Sequence, residues 1–481
     1  MQINRRSLLT ALSSALCLPH VAFAGIFDSL SRSADVIVIG AGAAGLAAAV
    51  EAAEAGAQVI VLEKQKEIGG NTLISGGFYA AVDPERQKQQ HIDDSFDFFY
   101  WQTFEYGGRQ AKPELVRHLV DNATDGLVWL EKLGMRFEPN VFELYGTHWQ
   151  RTHIPVLPLG AGYIRTLSLA AMNRGVKIIT ERPVVDIVFE NGKATGVVAQ
   201  NGANKVTYKA RRAVIIASGS FAVNNELITR YAPQLAGLTT NNTPASTGDV
   251  MLAAHRHGAA IRDMQYIQCL PGCPPGKKYR VRFHNDVSRF IFVDHQGKRF
   301  IREDEARDKL RDAVLNLPEK YGFSIVDGNG FAEAGILTQK EVILAIEGGE
   351  AWKGNSIVEL AKKMGLPPDN LQATIDDYNR AVRDKNDRFG KSARELRHFI
   401  DQPPFYASYA GMTIHYTEGG LDINTKAQCL DKQGNIIAGL YAAGAVTGGV
   451  HGKNRLGGNG LADAIVFGRT AGKNAAQENA R

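Results

Sequence analysis

The sequence predicts an α/β protein: a Rossmann-like dinucleotide-binding domain into which a second, α+β domain is inserted. Three observations lead there. Residues 34–63, ADVIVIGAGAAGLAAAVEAAEAGAQVIVLE, read as strand, glycine turn, helix, strand and terminal acid. Two further strand-like runs end in glycine turns, the β-branched RRAVIIASGSF at 211–221 and GLYAAGAVTGG at 439–449. Between those two runs the texture changes at residue 265 to a Pro/Gly loop, IQCLPGCPPGKK, followed by strands such as 290–293 and polar helices such as 368–385. The expected division is 25–264 and 411–481 for the first domain and 265–410 for the insertion.

The chain opens MQINRRSLLTALSSALCLPHVAFAGIF. A basic start, a short apolar run and Ala22-Phe23-Ala24 make residues 1–24 a secretory signal, with an amphipathic first helix as the competing reading. Arg5 and Arg6 ahead of Ser7-Leu8-Leu9 are the twin arginine of a leader that exports folded proteins, which points to the periplasm. In the βαβ unit that follows, Gly40, Gly42 and Gly45 bring the backbone to a pyrophosphate at the helix start, beside Ala43 and Ala44. Glu63, with Lys64 next to it, closes the second strand about 20 residues on and can accept from ribose hydroxyls.

A second glycine loop, IGGNTLISGG at 68–77, adds Gly69, Gly70, Asn71, Thr72, Gly76 and Gly77 as cofactor candidates. The later strand ends add Ser218 and Gly219, then Gly444 and Ala445. A nicotinamide enzyme rarely needs three glycine-rich strand ends for one cofactor, whereas a larger dinucleotide lying across the sheet does. The aromatic run Phe96, Phe98, Phe99, Tyr100 and Trp101 is assigned to core packing, and 180–210 to strands with turns at Asn191-Gly192 and Asn201-Gly202.

The composition narrows the function further. The 481 residues suffice for two or three domains, and 44% hydrophobic with 22% charged residues is globular. The net charge of +5 includes Arg5 and Arg6 of the leader, and no basic run is interleaved with aromatics, so nucleic acid is not an expected partner. No later apolar run reaches membrane-spanning length. There is no CxxCH for covalent haem, and no metal site is expected. Cys269 and Cys273 are left open as a disulfide pair or free thiols. In VHGKNRLGGNG, 450–460, one large cation, Arg455, stands among glycines; it reads either as a solvated loop residue or as a fork for a carboxylate or phosphate.

Taken together, GAGAAGLAAA, the GGN loop, ASGSFAVNNEL, TGDVMLAAHRHGA, GKRFIREDEARD, HYTEGG and GLYAAGAVTGGVHGKNRLGGNGLADAIVFGR resemble, in order and over most of the chain, the flavoprotein subunits of fumarate reductase and succinate dehydrogenase. The nearest branch is the soluble periplasmic flavocytochrome c type. The resemblance implies a Rossmann-like FAD-binding domain with an inserted α+β capping domain that closes over the flavin. It extends the cofactor set to Asp249, Arg455, Gly458 and Leu461. It assigns Arg455 and His415 to a substrate carboxylate and Arg307 to proton donation; an ion pair of Arg307 with Glu303, Asp304, Glu305 or Asp308, and a structural role for His415, are the local alternatives.

Departures from the family pattern carry equal weight. Leu270 stands where the family has a histidine, Arg282-Phe283 where it has Thr-Glu, Asp286 where it has a relay arginine, and Ala445 where it has Glu. Leu270, Arg282 and Phe283, with His415 and Arg455, are therefore the expected substrate contacts, and the site for a second carboxylate is dismantled. The loop at 68–77 has no histidine for covalent attachment, so FAD is expected to be non-covalent. The resulting expectation is a reductase of an α,β-unsaturated carboxylate other than fumarate, such as an acrylate, aryl-acrylate or urocanate-like acid. It would be served by a separate electron donor, a periplasmic c-type cytochrome. Fumarate reductase, a steroid-ring dehydrogenase and a non-catalytic flavin electron-transfer subunit are the alternatives.

Overall fold

The computed structural model describes residues 32–144, 149–279, 281, 283 and 286–480; the leader and Arg282 lie outside them. Strand β1 (Ser33–Ile39), helix α1 (Ala43–Glu54) and strand β2 (Val59–Leu62) form a βαβ unit, paired in parallel from Val36↔Val59 to Ile39↔Leu62. Val36 to Val38 and Ile60 to Leu62 are almost wholly buried, which is why the strands read as continuous apolar runs instead of alternating. Each such side chain contributes about 1.5–3 kcal/mol of burial.

Helix α2 (Gly70–Ile74) and α3 (Phe96–Tyr106) follow, then strands β3 (Lys177–Ile179), β4 (Val184–Glu190), β5 (Lys193–Asn201) and β6 (Asn204–Ile216). The β4–β5 hairpin turns on Asn191 and Gly192, both at positive φ, as a two-residue turn with that pair requires. The chain then builds β7 (Thr239–Thr240), α4 (Asp249–Arg256), β8 (Ile267–Gly272), β9 (Ile291–Val293), α5 (Arg307–Leu315) and β10 (Gly322–Val326). After these come β11 (Ala351–Gly354), α6 (Pro368–Asp384) and β12 (Phe405–Thr417), and finally β13 (Gln428–Leu430), β14 (Ile436–Ala442) and α7 (Asn459–Gln477).

Two large sheets result. The first runs β13-β14-β6-β1-β2-β3, with β14, β6, β1, β2 and β3 parallel and the β4–β5 hairpin continuing from β6. The ends of β1, β6 and β14 therefore open side by side, the crevice where parallel sheets bind ligands. The second sheet runs β7-β12-β10-β9, with β8 and β11 also paired to β12. Strand β12 is its axis. Its first half, from Phe405, pairs with β10 and β11, and its second half, to Thr417, pairs with β7 and β8. Helix α7 lies on α1 through small residues: a Cβ on Gly468 or Gly472 would meet the carbonyl oxygens of Ala44 or Ala48. That close approach places the segment before α7, with Arg455, beside the start of α1.

Two readings from sequence are corrected, and one left open there is decided. The segment at 267–272 is a strand and not a loop; among the described residues β8 is an edge strand paired only to β12, which tolerates Pro271. Of the aromatics on α3, Phe99 is in the core, whereas Trp101 is 55% exposed and stacks on Phe98. Cys269 and Cys273 are free and buried, as is Cys429. Among the described residues no helix is long and apolar enough to cross a membrane.

Candidate active site

A cavity of about 530 Å³ opens at the ends of β1, β6 and β14 and extends to β8 and β12. Gly40 leaves β1 at φ +103, and a Cβ there would lie 2.4 Å from the Ala217 carbonyl oxygen, so only glycine makes this turn. Helix α1 starts at Ala43 without a side-chain cap, and its N-terminus faces the cavity at Gly42. Glu63 is buried at the end of β2. Its Oε2 accepts the Ala41 N–H at 2.8 Å and its Oε1 the Gln65 N–H at 2.9 Å. Each oxygen retains a lone pair for a hydroxyl. Across the rim, Lys64 donates to Asp249 Oδ2 at 2.7 Å and Thr247 Oγ1 at 2.8 Å.

The GGN loop is tied to a polar loop before α4. Asn71 Nδ2 donates to Asn242 Oδ1 at 2.6 Å and Ser246 Oγ at 2.9 Å, and Asn71 Oδ1 accepts the Thr243 N–H at 2.8 Å. Ser218 Oγ, after β6, is shielded from solvent and has no hydrogen-bond partner among the described residues. A glycine-lined cradle with an uncapped helix start, a ribose-ready carboxylate and an unpartnered hydroxyl fits a dinucleotide.

At the other end the cavity is lined by Leu270, Arg307, His415, Tyr416 and Arg455. Gln268 on β8 clasps the two arginines. Its Oε1 accepts from Arg307 Nη1 at 2.9 Å and Arg455 Nη2 at 3.1 Å, and its Nε2 donates to Asn454 Oδ1 at 3.0 Å and the Arg455 carbonyl at 2.8 Å. The acids beside Arg307 in sequence are engaged elsewhere: Glu303 by Arg299 and Lys391, both at 2.9 Å, and Asp308 by Lys453 at 3.3 Å. His415 sits at a β-bulge. Gln268 pairs with Tyr416 and Cys269 with Ile414, so His415 is the extra residue. The bulge breaks strand alternation and lets His415 and Tyr416 both reach the cavity. The Asn241 amide nitrogen lies 2.9 Å from His415 Nδ1. The Arg455 guanidinium carbon lies 4.4 Å above the Tyr416 ring.

The family model described as FAD binding domain matches residues 35–461. A fumarate reductase (cytochrome) of Shewanella frigidimarina is 32% identical, over 92% of this chain and 77% of its own length. A urocanate reductase of Eggerthella lenta is 33% identical, over 93% and 75%. The chain belongs to the FAD-dependent fumarate reductase flavoprotein family. The open conformation of a flavocytochrome c3 fumarate reductase superposes with a TM-score of 0.77 at 33% identity, covering 99% of this chain and 81% of that one. The NADH:fumarate oxidoreductase of Klebsiella pneumoniae is 34% identical over 94% of this chain, which spans only 48% of that relative's length.

FAD is thus the cofactor of this family member. The cavity brings together Gly40, Gly42, Ala43, Ala44, Glu63, Lys64, Gly69, Gly70, Asn71, Thr72, Gly76, Gly77, Ser218, Gly219, Asp249, Gly444, Ala445, Gly458 and Leu461. Gly45 is not among its walls: a Cβ there would lie 1.9 Å from the Gly40 carbonyl oxygen, so this glycine lets α1 pack on the turn. Phe283 is buried in the hydrophobic core and does not line the cavity, and Arg282 lies outside the described residues. Sequence reasoning missed Asn241, Asn242, Thr243, Ser246, Tyr416 and Gln268. The run NNTPAST ahead of Gly248-Asp249, polar and turn-rich just before a helix, was the available signal for the first four. Nothing in the sequence marks the bulge. Among the described residues no group of three or more His, Cys, Asp or Glu side chains could hold a metal ion.

Proposed function

We propose that the protein reduces the carbon–carbon double bond of an α,β-unsaturated carboxylate, with a monocarboxylic acid bearing an apolar tail preferred over fumarate. The observation that carries this reading is the Gln268 clasp, which holds two cations at the cavity end beside His415. Bound FAD, in its reduced form, supplies the hydride for the β-carbon. Arg455 grips the substrate carboxylate with its fork, and His415 assists. The charge that builds on the α-carbon and carboxylate is met by cations that are already desolvated: Arg307 and Arg455 are each 6% exposed. Arg307 passes a proton to the α-carbon. A guanidinium with a pKa above about 12 donates only to a strongly basic acceptor, and a nascent carbanion is one. Gln268 sets the spacing of the two cations through a neutral oxygen and leaves their charge available.

Leu270 supports the apolar tail, because it lines the same end and offers no hydrogen bond. Fumarate itself is the second reading, favoured by the fumarate reductases among the relatives. The reading includes non-covalent FAD, residues 265–410 as a cap over it, export of the folded protein to the periplasm by the twin-arginine leader, and a separate c-type cytochrome as electron donor. Steady-state oxidation of reduced viologen by a panel of cinnamate-, methacrylate-, urocanate- and fumarate-type acids tests the reaction; turnover with none of them refutes it. Rapid reduction of the purified protein's FAD by NADH contradicts the cytochrome donor.

A further inference from the structure

Behind Arg455, the side chains of Tyr416, Glu418, His451 and Asp463 form a buried polar cluster that the proposed reaction does not use. The Tyr416 hydroxyl donates to Asp463 Oδ2 at 3.4 Å, and the same oxygen is 3.3 Å from His451 Nε2. Glu418 follows β12 directly and is 1% exposed. Among the described residues neither of its carboxyl oxygens has a hydrogen-bond partner. Its backbone N–H donates to the Tyr266 carbonyl at 2.9 Å, beside the strand that carries Gln268. The titratable groups that act on it are His451, Arg455 and Arg307, which favour its ionised form, and Asp463, which opposes it. Burial outweighs them and pushes its carboxyl above the ordinary range. A buried carboxyl without a partner is costly to ionise, by several kcal/mol, so it retains a proton.

The proton that Arg307 gives up must be replaced in every turnover. Asp286, at the position of the family's relay arginine, is engaged elsewhere: its Oδ1 accepts from the Ser288 N–H at 2.9 Å, the Ser288 hydroxyl at 2.6 Å and Arg397 Nη2 at 3.0 Å. We propose that Glu418 is the proton store that recharges Arg307. This rests on the reading of the site as an enoate reductase. After an Arg307 N–H bond breaks and its proton joins the α-carbon, the Glu418 O–H proton recharges the neutral guanidine through intervening water, since the two side chains share no hydrogen bond. The carboxylate left behind is held by the charge of Arg455 and the restored Arg307 and regains a proton from solvent. One hydride and one proton enter the double bond per cycle, and no further reductant is needed. Glu418 touches no substrate and acts through Arg307.

Glu418→Gln keeps the shape and removes the transferable proton. With pre-reduced enzyme and saturating enoate, the first turnover should stay within about twofold of wild type, while steady-state kcat falls at least about tenfold at unchanged KM. Glu418→Asp should recover part of the loss. Infrared spectra of the substrate-free protein at neutral pH should show a protonated-carboxyl band that Glu418→Gln removes. Steady-state turnover of Glu418→Gln equal to wild type, or the absence of that band, overturns the proposal. A wild type that reduces no enoate overturns the underlying reading as well, and so is distinct from failure of Glu418 alone, in which wild type turns over and the variant keeps pace.

Discussion

Gln268→Glu separates the two duties of the clasp, holding the arginines and leaving their charge free. A carboxylate at this position keeps both acceptor contacts, to Arg307 Nη1 and Arg455 Nη2, and loses the donations to Asn454 Oδ1 and the Arg455 carbonyl. Hydrogen bonds to charged groups contribute about 1.5–3 kcal/mol each and neutral ones about 1 kcal/mol, so the strengthened contacts offset the lost ones and Tm should hold. The substrate bears the change. Two unit charges about 4 Å apart at an effective dielectric of about 20 interact by about 4 kcal/mol. If the new carboxylate withdraws half of that from the bound substrate, transition-state binding falls by about 2 kcal/mol, or about 30-fold in kcat/KM. Gln268→Leu is the contrast: similar volume, no acceptor, and two buried cations deprived of a shared oxygen, for a stability loss of about 3–5 kcal/mol. Viologen-coupled kcat/KM for the best enoate and thermal melts read the two effects separately. Gln268→Glu with kcat/KM within about threefold of wild type refutes the claim that the substrate draws on this charge.

Arg307→Ala should abolish turnover while FAD stays bound, since loss of a positioned acid costs roughly 10²–10⁴-fold; activity at a tenth of wild type or more, measured on FAD-replete protein, removes it from that role. A cinnamate- or methacrylate-type acid should exceed fumarate in kcat/KM by at least roughly 100-fold, about 2.7 kcal/mol, and Leu270→His should narrow the ratio; an unchanged ratio means that Leu270 does not face the substrate tail. Glu143 has its carboxyl pushed up to about 7, burial outweighing the ion pair to half-exposed Arg394 at 2.9 Å. Its contribution to stability is complete below its ordinary 4.5 and is lost as pH rises through about 7. Denaturation at pH 5 and pH 8 should therefore show wild type losing stability relative to Glu143→Gln, on the order of 2 kcal/mol after discounting for solvent around Arg394. A constant difference between the two proteins contradicts this.

The cofactor half of the site is legible in residues 34–77 because its requirements are local: a turn that only glycine makes, a helix start, and an acid at the next strand end. Gly45 shows the limit of a motif, since the same fingerprint contains glycines that line the cavity and one that lets two elements pack. The substrate half depends on pairing at a distance. Gln268 and Arg455 are 187 positions apart, and no spacing rule announces that one carboxamide serves Arg307 and Arg455 together. The bulge at His415 changes which side chains face the cavity through register, which is set by the partner strand. The strand at 267–272 reads as a loop in sequence because Pro271 and Gly272, with Pro274, Pro275 and Gly276 close behind, suggest turns, whereas an edge position asks only for one unpaired side.

The three enclosed thiols bear on the order of events in maturation. Burial pushes Cys269 up to about 12 and Cys273 up to about 11, and shifts Cys429 in the same direction, so little thiolate exists to react once the chain has folded. The described fold waits for no disulfide to form. Under the proposed export, it can be completed in a reducing compartment and then moved to an oxidising one with its thiols unchanged. The reverse order exposes the same thiols on an unfolded chain, where mispairing competes with collapse; the hazard belongs to the journey and not to the finished molecule.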